Sequence, residues 1–542
     1  MLNLFQQLQR HAGQRPHDIA IWHYESASKV TSTTFAELAR AAEQFAQAFS
    51  YHTREAAIIP LYLSKSANCV AAMMGALGAG RAFACLNKKL RASQINQILK
   101  ACSARLGLLD GPGAMTLRGN FAADAPVARM QWWLLREESF LPPHEKAVTD
   151  MRNLCVIDDW PLEETELPGN LLPPLSENLE RIGCCLFTSG STGIPKGVLM
   201  TEQDLCARAE AEVEWYALSS HDMLLNVLPF SFDVGLNQVL SAITVGCTLV
   251  LSDSWLPADI FNIVTRFKVT GISAVPSIWL EMINANLHFD TITDHASLRY
   301  LTVSGGDLSQ RHLNQLPQLA PGVSILKTYG QTEDFRSTCL RPHDFNTHRS
   351  SIGQPFKNVR IYVVRPDDSR CEPLEVGEIV HTGLGVMYGY LDGQDPQNKL
   401  RPNPFVGDAD SCPLAIFTGD LGYLDREGYL YLQGRRDAML KVAGNRVYPQ
   451  EIINQVLSVA QVLEAEVVGI KTNEGETNLV AFVVLTAASN LTATAIRRQL
   501  VGHLPSYMVP REVVILSGIP RTASGKTDYP DLTERAKKLI LG

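Results

Sequence analysis

The sequence predicts an α/β fold, with a large N-terminal domain of layered α/β subdomains followed by a small α+β C-terminal domain. The length of 542 residues is one reason, because a single hydrophobic core rarely serves a chain of that size. Alternating helix and strand patterns along the first part of the chain are a second reason. The third is a change of pattern after Asp437, so we expect domains at residues 1–436 and 437–542.

Apolar spacing locates the elements of the large domain. Residues 35–49 predict a helix, 57–63 a strand, and 67–77 a second helix that ends near two glycines. The alternation continues with strands at 224–228, 248–251, 271–275, 300–303 and 429–432, and with helices at 236–242 and 278–283. Residues 111–174 match no pattern.

The segment after Asp437 predicts a compact domain with its own elements. A helix is expected from residue 449 and another at 494–502. Short apolar runs predict three strands, at 466–470, 479–485 and 512–516. Helices mixed with a few strands in about a hundred residues are typical of a small α+β domain.

Composition excludes several functional classes. The net charge of -8, with no long basic run, argues against a nucleic-acid partner. Residues 1–16 lack the apolar core of a signal peptide, and the apolar run 239–251 is too short to span a bilayer and predicts a helix followed by a strand. Eleven cysteines without a C-x-x-C pair predict reduced thiols. We therefore expect a cytoplasmic protein with no membrane partner.

A glycine- and hydroxyl-rich loop gives the strongest local signal. It follows an apolar strand and combines glycines, hydroxyl residues and one lysine: Thr188, Ser189, Gly190, Ser191, Thr192, Gly193, Lys196 and Gly197. Backbone N–H groups, hydroxyls and a lysine can converge on a phosphate. The spacing is neither that of a Walker A loop nor that of a nucleophile elbow. On composition alone, a flexible turn is the alternative.

Four further motifs follow in order. They are Y-G-Q-T-E at 329–333, T-G-D at 418–420, G-R-R-D at 434–437 with Lys441, Gly444, Arg446 and Glu451 after it, and P-R-T-A-S-G-K at 520–526. With the phosphate loop, they make nearly the whole chain similar to the adenylate-forming superfamily of adenylation domains, acyl-CoA synthetases and beetle luciferases. The resemblance implies an acyl-adenylate synthetase fold, in which the small C-terminal domain is mobile about a hinge at Asp437.

The resemblance also implies ATP and Mg²⁺ as cofactors and assigns residues to them. Glu333 would hold Mg²⁺, Tyr329 would stack on adenine, Asp420 would accept the ribose hydroxyls, and Lys526 would neutralise charge during adenylation. The catalytic residues would be Thr188, Lys196, Glu333 and Lys526. The ATP-binding residues would be Thr188, Ser189, Gly190, Ser191, Thr192, Gly193, Lys196, Gly305, Tyr329, Gly330, Thr332, Asp420, Arg435 and Lys526. Each has an ordinary alternative, such as a solvated carboxylate, a core aromatic or a surface lysine.

The substrate pocket follows from the same resemblance. Asp233 stands where amino-acid adenylation domains bind the substrate ammonium, although it could instead cap the helix after it. The other pocket positions are Val234, Asn237, Ser273, Thr302, Ser304, Thr328, Arg336 and Ser337. Arg336 needs an anionic partner. The set resembles enzymes that activate β-amino acids such as 3-methylaspartate, and implies an acidic substrate. Pairing of Arg336 with Asp334 outside the pocket is the alternative.

The acceptor of the activated acyl group is expected to be a separate carrier protein with a phosphopantetheine thiol, because no carrier-domain motif follows Lys526. An acyl- or aryl-CoA ligase is the alternative. Two positions depart from the family pattern: residues 86–90 lack its D-P-x-Y-P sequence, and Glu202 stands where many members have histidine.

Overall fold

A computed structural model describes most of the chain. The described residues are 2–53, 57–90, 92–118, 130–135, 154–157, 181–189, 195–285, 287–289, 297–306, 308–395, 397–407, 410–436, 438, 440–443, 445–472, 476–486, 489–522 and 525–541. They form the layered α/β arrangement expected from the sequence, and five sheets can be traced among them.

A nine-stranded sheet underlies the predicted substrate pocket. Its strands, in spatial order, are Gln354–Pro355, Thr338–Leu340, Ser324–Tyr329, Tyr300–Val303, Gly271–Ala274, Met223–Asn226, Thr248–Leu251, Ile19–Ser26 and Lys29–Thr34. The six strands from Ser324–Tyr329 to Ile19–Ser26 run parallel, and antiparallel strands close both edges. In such sheets, ligands bind beyond the carboxyl ends of the strands.

An eight-stranded sheet carries the phosphate loop. Its strands, in spatial order, are Gly389–Tyr390, Pro195–Thr201, Ile182–Ser189, Ala82–Cys85, Ile58–Tyr62, Leu106–Asp110, Gln131–Leu135 and Leu154–Ile157. The last two strands fall within 111–174, where the sequence predicted nothing. A smaller five-stranded sheet consists of Val359–Val364, Gly377–Gly383, Leu414–Leu424, Leu400–Pro402 and Leu430–Arg435.

Helices cover these sheets. In the large domain they are Leu4–Gln14, Phe35–His52, Ala67–Gly78, Ala92–Cys102, Gly111–Arg118, Glu202–Trp215, Asp233–Val245, Pro257–Phe267, Pro276–Asn284 and Gln310–Leu319. Capping follows the sequence: Thr34 with Glu37, and Thr201 with Asp204, form reciprocal capping boxes. Among the described residues, no helix combines the length and apolar character needed to cross a bilayer.

The C-terminal part has a core of its own. Strands Val462–Lys471, Thr477–Leu485 and Glu512–Leu516 form one sheet, and Leu440–Val442 pairs with Asn445–Val447. Helices Pro449–Ser458, Ala493–Val501 and Tyr529–Leu541 and a short 3₁₀ turn at Ser506–Met508 complete it. A separate cluster of buried residues, among them Val447, Ile452, Val467 and Leu500, lies within this part. Residue 437 lies outside the described residues, so the domain boundary stays a prediction.

Candidate active site

The phosphate loop is the turn of a β-hairpin. Its strands Ile182–Ser189 and Pro195–Thr201 are antiparallel, and Thr188 lies directly opposite Lys196. Residues 190–194, which include the predicted Gly190, Ser191, Thr192 and Gly193, lie outside the described residues, as does the side chain of Ser189. The hairpin therefore brings the two outer members of the predicted phosphate set together at the base of the loop.

Lys196 connects this hairpin to Glu333 through an aromatic ring. Its Nζ lies 5.4 Å from the ring centroid of Tyr390. The Tyr390 hydroxyl donates to Glu333 Oε1 at 2.9 Å. Burial, and then the Glu333 carboxylate, raise the pKa of Tyr390 far above its usual value, so that the hydroxyl remains a donor. The predicted phosphate lysine and the predicted metal carboxylate thus both lie close to Tyr390.

Glu333 has one carboxylate oxygen engaged by the protein. Lys399 Nζ and the Tyr390 hydroxyl both contact Oε1, at 2.8 and 2.9 Å. Burial opposes ionisation of Glu333, but Lys399 outweighs it and holds the pKa of this carboxyl below its usual value. Among the described residues, both of these side-chain donors contact Oε1, which leaves Oε2, a hard oxygen of an ionised carboxylate, for a metal. This donor fits Mg²⁺, whose protein ligands are commonly one or two carboxylates beside substrate phosphates.

The predicted adenosine side is built around Asp420. The Tyr329 hydroxyl donates to Asp420 Oδ2 at 2.7 Å, and Gln331 Nε2 donates to the same oxygen at 2.7 Å. Arg435 Nη1 lies 3.1 Å from Oδ1. Burial, followed by the Asp420 charge, raises the pKa of Tyr329 well above its usual value. The stacking aromatic and the ribose carboxylate of the predicted site are therefore in direct contact.

Two glycines on this side are required by close packing. A side chain at Gly330 would place its Cβ 2.1 Å from the carbonyl oxygen of Phe335. Gly305 has φ +77°, and its Cβ would lie 2.9 Å from the Phe232 ring. Thr332 lies in the same turn as Gly330 and is half-buried. Both glycines therefore shape the backbone between the adenosine side and the pocket.

Lys526 lies next to the pocket rather than away from the large domain. Its Nζ is 5.3 Å from the ring centroid of Phe232, the residue before Asp233. The neighbouring Gly525 packs on Trp255, which a Cβ there would meet at 2.9 Å. Asp437, the predicted hinge, lies outside the described residues. The structure therefore places Lys526 beside the start of the helix Asp233–Val245.

Asp233 is the first residue of the helix Asp233–Val245, and the cap residue before it is Phe232. The Asp233 side chain is 8% exposed, and its Oδ1 accepts from the backbone N–H of Val234 at 2.8 Å. The alternative role as N-cap is therefore wrong, although the carboxylate still favours the positive end of the helix dipole. Asn237 lies one turn further along the same face and is buried.

The strand ends supply a wall of small hydroxyl side chains. Ser304 Oγ lies 2.7 Å from Thr328 Oγ1 and 3.3 Å from Thr302 Oγ1. All three are buried, as is Ser273. Ser304 and Thr328 lie at or just beyond the carboxyl ends of neighbouring parallel strands, which explains why residues distant in sequence meet.

Arg336 is buried and paired with a carboxylate that the sequence did not indicate. Its Nε lies 3.1 Å from Glu212 Oε1, and Nη1 donates to Thr328 Oγ1 at 3.3 Å. Burial would lower the pKa of Arg336, but Glu212 raises it above its usual value. The alternative pairing with Asp334 is not observed: burial raises the pKa of Asp334 to about 7, and its Oδ1 accepts from the backbone N–H of Gln331.

Glu212 contacts the guanidinium of Arg336 at one nitrogen, Nε, and this determines which of its N–H groups can still bind a ligand. Glu212 Oε2 accepts from Ser241 Oγ at 3.3 Å, and Ser241 Oγ lies 3.4 Å from Asn237 Nδ2. Glu212 therefore holds the Nε edge of the guanidinium rather than forming a two-point contact with its Nη groups. The chain of contacts joins Arg336 to Asn237, so both belong to one polar network.

Ser337 has a different partner from the other predicted pocket residues. His381 Nε2 donates to the carbonyl of Leu384 at 2.8 Å, so its Nδ1 accepts from the Ser337 hydroxyl at 2.9 Å. Burial lowers the pKa of His381 to about 4 and keeps the ring neutral. The Ser337 hydroxyl is thus directed to His381, a residue that no sequence motif pointed to.

Family profiles match both parts of the chain. The profile described as AMP-binding enzyme matches residues 8–391, and the profile described as AMP-binding enzyme C-terminal domain matches residues 451–526. The chain belongs to the AMP-binding enzymes of the adenylate-forming superfamily. It is therefore an adenylate-forming ligase that converts a carboxylate to an acyl-adenylate with ATP and Mg²⁺.

Individual relatives divide between two kinds of enzyme. A linear gramicidin synthase of Brevibacillus parabrevis is 29% identical over 513 residues, which cover 91% of this enzyme and 9% of the synthase. Indoleacetate–CoA ligase of Aromatoleum aromaticum is 31% identical over 355 residues, 64% of this enzyme and 66% of the ligase. The enzyme thus spans under a tenth of the synthase chain that it matches.

The solved structure of ATP-bound MatB from Rhodopseudomonas palustris superposes with a TM-score of 0.79 over 99% of both chains, at 19% identity. At that identity the similarity concerns the fold alone. Both the large and the small domain take part in it, because the match covers almost the whole chain.

Proposed function

We propose that this enzyme activates a small amino acid as an aminoacyl-adenylate and passes the aminoacyl group to the phosphopantetheine thiol of a separate carrier protein. One observation supports the amino-acid part: the carboxylate of Asp233 is buried, and the ammonium of Lys526 lies 5.3 Å from the ring of Phe232, the residue before Asp233. An anionic anchor for the substrate amine beside a cation for the reacting carboxylate matches the charges of an amino acid.

In the first half-reaction, a carboxylate oxygen of the substrate attacks the α-phosphorus of ATP and pyrophosphate leaves. Asp233 binds the substrate ammonium and orients the carboxylate, while Lys526 neutralises the negative charge that develops at phosphorus. Thr188 and Lys196 contact the phosphates from the hairpin. Mg²⁺ held through Glu333 would neutralise phosphate charge when bound.

In the second half-reaction, the thiol sulfur attacks the acyl carbon and AMP leaves, so that a thioester replaces the mixed anhydride. We propose that the small domain turns about Asp437 between the two steps. Lys526 would then leave the pocket, and the segment around Lys441 and Gly444 would approach it.

The side chain of the substrate is proposed to be acidic, aspartate-like or an acidic β-amino acid. The support is Arg336, which Glu212 contacts at Nε while Nη1 donates to the hydroxyl of Thr328 in the predicted pocket. Such an edge suits a carboxylate that binds at two points. One observation favours a second candidate, a neutral polar amino acid, because Glu212 already balances the charge of Arg336.

The acceptor also has two candidates. The similarity to the linear gramicidin synthase supports a carrier protein, and the similarity to indoleacetate–CoA ligase supports coenzyme A. We favour the carrier protein because the proposed anchor binds an ammonium group. Amino-acid substrates have this group, whereas aryl and fatty acids lack it.

Two assays test the proposal. ATP–pyrophosphate exchange is measured with aspartate, 3-methylaspartate, β-alanine, alanine, proline and valine, and with aryl and fatty acids. Exchange with an acidic amino acid is the expected result, and exchange with aryl or fatty acids alone would contradict the amino-acid assignment. With the best substrate, thioester formation is then compared between a phosphopantetheinylated carrier protein and coenzyme A; faster transfer to coenzyme A would reject the carrier assignment.

A further inference from the structure

We propose that Lys399 is a positioning residue for both ends of the ATP site. It contacts the proposed metal-binding carboxylate of Glu333 directly, and it is linked to the proposed ribose-binding carboxylate of Asp420 through the side chain of Gln331. Lys399 belongs to none of the sequence motifs. Its side chain is 8% exposed, and its Nζ lies 2.8 Å from Glu333 Oε1 and 2.7 Å from Gln331 Oε1. A buried ammonium with two side-chain acceptors is fixed in place by both of them.

The Gln331 side of this link has a defined orientation. An ammonium group only donates, so the amide oxygen of Gln331 must face Lys399 and the amide nitrogen must face the other way. That nitrogen donates to Asp420 Oδ2 at 2.7 Å and to the carbonyl of Thr418 at 3.0 Å. Lys399 at one end and the two acceptors at the other therefore favour the same orientation of the Gln331 amide, and loss of Lys399 removes the contact that anchors its oxygen.

On the Glu333 side, Lys399 contacts only one of the two carboxylate oxygens, Oε1. Lys399 and the Tyr390 hydroxyl both contact Oε1, so the carboxylate is held by two donors on the same atom. The charges alternate along the path: negative at Glu333, positive at Lys399 and negative at Asp420, with the Gln331 amide dipole aligned between the last two. The alternation stabilises two buried carboxylates that would otherwise repel each other.

In this role, Lys399 differs from a lysine that contacts phosphate directly. A phosphate-binding lysine would matter for ATP and not for adenosine, which has no phosphate. A residue that acts through Gln331 and Asp420 must also affect adenosine. The test therefore uses adenosine and calorimetry without metal, which requires neither the amino acid nor the carrier protein, so it is independent of the proposed substrate and acceptor.

The variants are Lys399→Met, Gln331→Leu and the double variant. We expect each single variant to weaken adenosine binding about tenfold, since a charge-assisted hydrogen bond is lost or misdirected. The double variant should lose no more than either single one, because both act on the same contact to Asp420. Lys399→Met should also raise the Mg²⁺ concentration at which ATP binding is half-maximally strengthened in calorimetry, because of the two residues it is Lys399 that contacts Glu333. Lys399→Arg should restore part of both properties.

Lys327→Met is the matched control. Lys327 is also a buried lysine of the large domain, and its Nζ donates to the backbone carbonyl of Arg349 at 3.3 Å. Its loss should lower thermal stability while leaving adenosine affinity unchanged. Should Lys399→Met not fold, Lys399→Gln removes the charge and keeps hydrogen-bonding groups. Unchanged adenosine binding in the Lys399 variant, or losses that add in the double variant, would overturn the inference.

Discussion

Replacing Glu212 by Gln tests how the substrate pocket uses its buried arginine. The change keeps the size of the side chain and a hydrogen-bonding group beside Arg336, and removes the charge that balances the guanidinium. In the wild type, the two side chains are 2% and 5% exposed and their charged atoms lie 3.1 Å apart. The variant therefore leaves a buried cation without its anionic partner.

The magnitude follows from that geometry. At an effective dielectric constant of about 20, two unit charges separated by 3.1 Å attract each other by roughly 5 kcal/mol. Losing one partner of a buried pair costs about 3–5 kcal/mol in measured cases, because the remaining charge stays desolvated. We expect a clear loss of thermal stability in Glu212→Gln, and a substrate carboxylate that reaches Arg336 should recover part of it.

The assay compares acidic and neutral substrates in each variant. If the substrate carboxylate contacts Arg336, freeing the guanidinium should raise the ratio of exchange rates for aspartate over alanine. Recovery of about 2 kcal/mol corresponds to a rise of roughly thirtyfold in that ratio. Arg336→Ala should lower the ratio instead. Bound aspartate should also stabilise Glu212→Gln against heat more than it stabilises the wild type.

Glu214→Gln provides the control, because Glu214 lies on the same helix and pairs with Lys357 at 2.9 Å with both side chains exposed. An exposed pair contributes about 0–1 kcal/mol, so neither stability nor the substrate ratio should change much. An unchanged aspartate-to-alanine ratio in Glu212→Gln, together with lost stability, would refute the reasoning. The Arg336–Glu212 pair would then be structural and the acidic substrate assignment would fail.

Three further predictions concern the two half-reactions. Lys526→Ala should slow exchange by about 10²–10³-fold, because a preorganised charge at the developing phosphorane is lost. The variant should still form the thioester from preformed acyl-adenylate. Equal losses in both steps would contradict the two-conformation scheme. Asp233→Ala should lower exchange with the cognate amino acid by roughly two orders of magnitude, since one partner of a buried charge pair is removed, and unchanged exchange would leave Asp233 without the anchoring role. Asp437→Pro should impair thioester formation far more than exchange, because proline restricts backbone rotation at the proposed hinge, which stopped-flow measurement of each step can check.

Most of the fold was predictable because it depends on local patterns. The strands Thr248–Leu251, Tyr300–Val303 and Glu512–Leu516 were predicted with their observed bounds, and the helix predicted from residue 449 begins there. Each is a short apolar run or an amphipathic segment bounded by turn residues. Gly111–Arg118 was missed, because it has two glycines and a proline at its start, which disfavour a helix in sequence-based reasoning.

Sequence motifs point to candidate site residues where those residues are contiguous, but they give no signal for contacts between residues that are distant in sequence. Glu212 meets Arg336 across 124 residues, and Lys399 meets Glu333 across 66. No sequence motif has a fixed spacing that would predict either contact. The direction of the Arg336 side chain depends on the preceding Phe335, which has φ +62° although it is not glycine. A backbone conformation of this kind cannot be inferred from residue type.

The Arg336–Glu212 pair has a consequence for exchanging substrate pockets between related enzymes. A transplanted block from Met223–Asn226 to Thr338–Leu340 would include the helix of Asp233, the hydroxyl wall and Arg336. It would omit Glu212, which belongs to the preceding helix Glu202–Trp215. The recipient enzyme would then contain Arg336 without Glu212, the carboxylate that balances its charge. A workable junction therefore lies before Thr201, where the capping box begins a new helix. With that junction, Arg336 and its counter-charge Glu212 are transferred together.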